Sequence, residues 1–328
     1  MFNSSLKNEL NSFLELRKTI VGDGTYKHDM MTLALLDKFM LNQNYNYKYL
    51  SEELITSWQL TLAGKTKTIK EKIGTIRNFT KYLNSMGYSS FMPKQPIVKS
   101  DYIPYIYTDQ EVAQIIHYAD NLKVEYFNND NLLTLIAIPV ILRILYGCGT
   151  RLSETLSIKR KHINFSDNTI LLVDTKFQKE RLIPIHKSLA DILEQYCETI
   201  GIINKEKSYL FPGHKDNTHL SKKCVQIWFK RILEKSNIDQ QKTNSDRGAC
   251  LHCFRHLFVL KSMQQLEKAG HSVDINDLIL PTYLGHDCMI DTDKYMKFSG
   301  VQIPKTLEVF EDFTSNLLPN VEVHYEEE

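Results

Sequence analysis

Between His252 and Tyr295 the chain carries side chains that together can attack a phosphodiester. They lie in LHCFRH (Leu251 to His256), YLGH (Tyr283 to His286) and DTDKYMKF (Asp291 to Phe298). The imidazoles of His252 and His286 and the Arg255 guanidinium suit the grip on a phosphate, and a tyrosine supplies a hydroxyl to attack it. His252 and Arg255 stand three apart, so a helix turns both to one face, within reach of one phosphate. A phenol of pKa about 10 is a poor nucleophile and a phosphodiester repels anions. Such a site must therefore neutralise the phosphate and remove the phenolic proton. No one of these residues is diagnostic: the chain has 17 tyrosines, and any single one is far more often structural than nucleophilic.

Two upstream segments add further candidates. Arg151 follows Gly149 in GTRLSETLSI, with Glu154 three residues on. A guanidinium can give two parallel hydrogen bonds to phosphate oxygens, which lysine cannot, and Glu154 is spaced to hold it. Taken alone, the pair reads more economically as a helix-surface ion pair, which is common and nearly neutral. Lys176, in TKFQKER, sits in a turn where a surface lysine is ordinary.

The elements that must position these groups are mostly helical. Leu6, Leu10, Phe13 and Leu14 recur at helical spacing. So do Met31, Leu33, Leu35, Leu36 and Phe39, and Leu54 to Leu62 makes a shorter third segment. From Thr66 to Met86, Ile69, Ile73, Ile76, Phe79, Tyr82 and Leu83 share one face. Lys67, Lys70, Arg77 and Lys81 are left largely to the others. Residues 1–91 thus form a small helical domain with one basic side. Pro93, Pro96 and Pro104 mark residues 92–107 as an extended linker. Thr108 and Glu111 then form a capping box that opens a new helix.

The second domain, residues 108–300, starts helical, with a strongly apolar segment from Leu132 to Tyr146. Ile163 to Phe165, Thr169 to Asp174 and Glu180 to Ile185 read as three short strands. Helical patterns return at Ser188 to Ile200, Lys222 to Leu233, His252 to Lys268 and Ile275 to Leu284. In residues 301–328 a last amphipathic segment, Leu307 to Leu318, precedes an acidic tail. The fold class is mainly α with a small antiparallel β-sheet (α+β).

Charge and composition bound the partners. The 328 residues carry a net charge of +1, but residues 1–100 hold 14 Lys and Arg against 8 Asp and Glu, leaving 26 against 31 for the rest. Lys65, Lys67, Lys70, Lys72, Arg77 and Lys81 are opposed between Thr61 and Ser100 only by Glu71. Such a stripe suits a phosphate backbone, although charge runs are more often merely solvated. No apolar run is long enough to span a membrane and no signal peptide opens the chain, so a cytoplasmic protein is expected. The six cysteines are expected to be reduced. Cys250 and Cys253 form a CxxC, but no second CxxC or spaced histidine pair follows to complete a zinc site.

Taken in order, Arg151, Lys176, His252-x-x-Arg255, Leu284-Gly285-His286 and Tyr295 resemble the tyrosine recombinase (phage integrase) family at all six positions. GCGTRLSETLSI is similar to its arginine segment, Arg181-Leu182-Ile183-Pro184 to its strand after the lysine, and the nine-residue step from His286 to Tyr295 is the family's. The resemblance implies a helical core-binding domain that clamps DNA, joined to a catalytic domain. It also implies a 3′-phosphotyrosyl link and a homotetramer on a double-stranded recombination site, with the C-terminal helix docking on a neighbour. Docking of that helix on its own domain is equally compatible with its pattern. Arg151, Arg255 and His286 are expected on the non-bridging oxygens, His252 as general base, and Lys176 as the acid for the departing 5′ oxygen. The sequence departs from the family's Gly-Lys-Gly-x-Lys turn, since Thr175 and Phe177 flank Lys176; Lys179 is the competing acid.

Because the covalent link conserves the phosphodiester's energy, rejoining is expected to need neither cofactor nor metal. Mobile-element movement and replicon resolution both use this chemistry. A type IB topoisomerase or telomere resolvase shares the nucleophile logic, and a catalytically silent DNA-binding protein is the rival from another class. A silent binder has no need of the full set of catalytic groups.

Overall fold

The computed structural model describes residues 2–98, 104–123, 129–173, 180–238, 248–269 and 280–285, with backbone alone at 129–131 and 267. The chain divides into two compact units, Met1–Asp101 and Tyr102–Glu328.

The first unit is helical: α1 (Lys7–Ile20), α2 (Asp23–Asn42), α3 (Glu52–Leu60) and α4 (Thr66–Ser85). Each contributes an apolar stripe to one core. Leu10 and Phe13 come from α1, Leu33 and Leu36 from α2, Ile55 and Trp58 from α3, and Ile76 and Phe79 from α4. In α2 the phase differs from the expectation. Leu33, Leu36 and Met40 are buried, whereas Met31 and Leu35 face outward at 67% and 47% exposure. The apolar residues of α2 occupy more than one face, so periodicity alone selects no single stripe. Polar anchors finish the unit: Asp29 pairs with Arg17 at 2.7 Å and accepts from the Thr75 hydroxyl at 2.7 Å.

In the second unit the expected capping box opens α5 (Asp109–Asp120), with Glu111 and Thr108 bonded reciprocally. The apolar helix α6 (Asn129–Cys148) is the hub, touching α5, α7 (Leu152–Ser157), α8 (Lys187–Thr199), α9 (Lys222–Lys235) and α10 (His252–Lys268). Its Ile138, Ile141, Leu142 and Leu145 are fully or almost fully buried. Between α7 and α8 lies an antiparallel sheet of order β1 (Ile163–Asn164), β2 (Thr169–Leu172), β3 (Arg181–Pro184). Its register pairs Leu172 with Arg181 and Thr169 with Pro184. The strands are shorter than their apolar runs. The first turn tightens where the Asn164 side chain accepts from the Ser166 and Asp167 amides, with Asn168 at φ 50°. The fold is therefore mainly α with a small antiparallel sheet, and no described helix is long and apolar enough to cross a membrane.

Candidate active site

Arg151 is positioned by the break between α6 and α7. Gly149 leaves α6 at φ +57°, and Arg151 becomes the residue preceding the first turn of α7. Glu154, in that turn, reaches back so that Oε2 accepts from the Arg151 amide at 2.9 Å while Oε1 accepts from the Arg151 guanidinium at 2.6 Å. The pair is not the surface ion pair its spacing first suggests, because the Glu154 side chain is only 4% exposed. A second arginine shares the carboxylate: Arg181, at the start of β3, donates to Oε2 at 2.8 Å and to Oε1 at 3.4 Å. Burial pushes the Glu154 carboxyl up, but the Arg181 hydrogen bond, the Arg151 amide and both guanidinium charges outweigh it and hold the group below the usual range.

Arg255 comes from the first turn of α10 and is 2% exposed. It donates to the Gly149 carbonyl at 2.8 Å and to the Leu284 carbonyl at 2.9 Å. One buried guanidinium thus bonds the backbone two residues before Arg151 and the backbone beside Gly285. His252, at the start of α10, is exposed, and its ring meets His256 edge-on with centroids 4.7 Å apart. His252 and Arg255 share a helix turn as expected, but only the imidazole lies at the surface.

Deeper in the site burial shifts three titratable groups. Burial, then the charges of His252 and Arg255, pushes His256 down to about 3, so it is a neutral ring at physiological pH. Burial lifts the Tyr283 phenol well above its ordinary value, and its ring stacks on Phe258 with centroids 5.4 Å apart. Lys261 anchors the middle of α10, donating to Asp109 at 2.6 Å and to the Tyr146 hydroxyl at 2.9 Å. Burial brings its ammonium down to about 8.

Of the residues singled out in the sequence, Arg151, Glu154, His252 and Arg255 are brought to one region by α7, α10 and the turn at Gly149. Lys176, Lys179, His286, Tyr295 and the segment 301–328 lie outside the described residues. In the first unit, Lys65, Lys67 and Lys81 are exposed, and Lys70 and Arg77 are half-buried. Arg77 donates to the Pro93 carbonyl, so it ties α4 to the following segment. Arg181 and His256 were missed as site residues. The Arg255-His256 adjacency was visible, but the partner of Arg181 lies 27 residues away and no spacing announces it.

The model of the phage integrase family matches residues 106–296. The chain is 28% identical over 239 residues to tyrosine recombinase XerA of Pyrococcus horikoshii, covering 72% of this chain and 71% of that one. Its fold is similar to that of the XerH site-specific recombinase bound to difH substrate in a pre-cleavage complex. The TM-score is 0.65 and the identity 14%, over 90% of this chain and 82% of that one. It is likewise similar to a lambda integrase tetramer bound to a Holliday junction, with a TM-score of 0.62 and 15% identity over 88% and 76% of the two chains.

Proposed function

The chain belongs to the phage integrase family of site-specific tyrosine recombinases, and on that premise we propose that it cleaves and rejoins DNA through a 3′-phosphotyrosyl intermediate on Tyr295. The observation that carries the reading is the buried Arg255 guanidinium, which draws the Gly149 and Leu284 backbones together. Arg151 is two residues from the first and His286 two residues from the second, so the three phosphate-binding candidates converge in sequence on one bonded cluster.

In this mechanism Arg151, Arg255 and His286 take the non-bridging oxygens and stabilise the pentavalent transition state where its negative charge develops. His252, exposed at the start of α10, accepts the Tyr295 phenolic proton. The phenolate oxygen bonds to phosphorus, the bond to the 5′ oxygen breaks, and Lys176 or Lys179 protonates that leaving group. Reversal with a different 5′ hydroxyl joins a new strand.

The first unit, with Lys65, Lys67, Lys70, Arg77 and Lys81, acts as the DNA clamp, residues 92–107 as its linker and 108–300 as the catalytic domain. The DNA-bound form is a homotetramer. A tetramer of lambda integrase on a Holliday junction supports that assembly by likeness of fold. The substrate is a recombination site of a mobile element or of a replicon resolved after duplication.

The test is incubation with a nicked suicide duplex. A covalent protein–DNA adduct that survives denaturant is expected for the wild-type chain and not for Tyr295→Phe. Tight binding without an adduct would leave only the DNA-binding reading.

A further inference from the structure

We infer that Arg181 is a positioning residue for strand cleavage: by neutralising the Glu154 carboxylate it frees the charge of Arg151 for the phosphate. The inference rests on the reading above, in which Arg151 binds the scissile group. Glu154 holds Arg151 by both its amide and its guanidinium. That grip fixes geometry but has a drawback, since a buried carboxylate 2.6 Å from Arg151 cancels the positive charge the phosphate needs. The second guanidinium restores it. Two arginines on one carboxylate leave the trio with one net positive charge.

The two arginines are not equivalent. Arg181 turns both Nη atoms to the carboxylate, its side chain is 12% exposed, and its buried Nε has no partner among the described residues. Arg151 gives the carboxylate one Nη, is 25% exposed, and has no other side-chain partner among the described residues. Arg181 is therefore committed to Glu154, and Arg151 keeps donors to offer. Arg181 also sits against the turn before His286: a Cβ on Gly285, at φ +64°, would lie 2.7 Å from Arg181 Nη1. The same guanidinium thus abuts two of the motif segments, and it begins the strand that follows Lys176 and Lys179.

The experiment measures single-turnover adduct formation on the suicide duplex for the wild type, Arg181→Met, Arg181→Lys, Glu154→Gln and the double variant Arg181→Met/Glu154→Gln, with duplex affinity measured in parallel. Arg181→Met is expected to slow adduct formation about a hundredfold, with much less change in affinity. Arg181→Lys should keep most of the rate. Removing the uncompensated carboxylate in the double variant should restore about tenfold of what Arg181→Met lost. A purely structural role predicts the opposite, a double variant slower than either single one, and that result overturns the inference. So does a wild-type rate in Arg181→Met. If Arg181→Met does not fold, Arg181→Gln with and without Glu154→Gln gives the same comparison. A wild-type chain that forms no adduct sinks the recombinase reading, and with it the cleavage role of Arg181, but not its pairing with Glu154. The pairing is then decided by acid unfolding, where Arg181→Met must raise the pH at which Glu154 protonates, and an unchanged profile overturns it.

Discussion

The ring of Phe258 fills the space a side chain on Gly149 would need: a Cβ there would lie 2.4 Å from Cδ1 and 2.7 Å from Cγ. The end of α6 and the middle of α10 thus meet backbone against ring, one helical turn from the bond between Arg255 and the Gly149 carbonyl.

Gly149→Ala combines that overlap with a left-handed backbone at φ +57°. The two costs together should destabilise the second unit by about 3 kcal/mol. The chemical-denaturation midpoint reads this directly, and an unchanged midpoint would contradict the packing described.

Arg255→Met strands two buried carbonyl acceptors, those of Gly149 and Leu284. A loss of about 2–4 kcal/mol is expected, along with adduct formation. Arg255→Lys, with one donor nitrogen in place of two, should fall between. Equal stability of all three proteins would show that the bonds contribute nothing.

His256 makes stability pH-dependent. Its folded-state value is about 3 against an ordinary 6.5, so between those values the unfolded chain binds a proton that the folded chain does not. Stability therefore falls as pH drops through that window, by about 2 kcal/mol between pH 7 and pH 5. Thermal melts of the wild type and His256→Phe across this range should show the slope only in the former.

Glu154 acts in a lower window. Its carboxyl is held below the ordinary value of 4.5, so its contribution is complete above that pH and is lost as pH falls through the depressed value. The stability difference between the wild type and Glu154→Gln should be constant from pH 7 to pH 5 and shrink in stronger acid. A difference that grows on acidification would reverse the sign of the interaction.

Local signals in the sequence were reliable where one residue type decides the geometry. Thr108 and Glu111 cap α5 as their spacing predicts, and α10 runs from His252 to Lys268, the span its pattern marks. The sheet was legible through its turn residues, Ser166 to Asn168. What could not be read were partners far apart in sequence. Arg255 was expected only as a phosphate ligand, and nothing in HCFR announces that it also bonds two carbonyls from other segments. Glu154 was seen to hold Arg151, but its second arginine required the sheet to fold back. Exposure was equally hidden, since the three-residue spacing of His252 and Arg255 gives their direction and not their depth.

In the proposed mechanism, the pairing of Leu172 with Arg181 has a consequence for the acid, Lys176 or Lys179. Lys176 is four positions along the chain from Leu172 and Lys179 two positions before Arg181, so chain length alone bounds their Cα atoms to within about 14 Å and about 7 Å of those anchors. Inserting residues at the tip lengthens that leash without touching its anchor points. Graded insertions should therefore slow leaving-group departure while the grip on the phosphate stays intact.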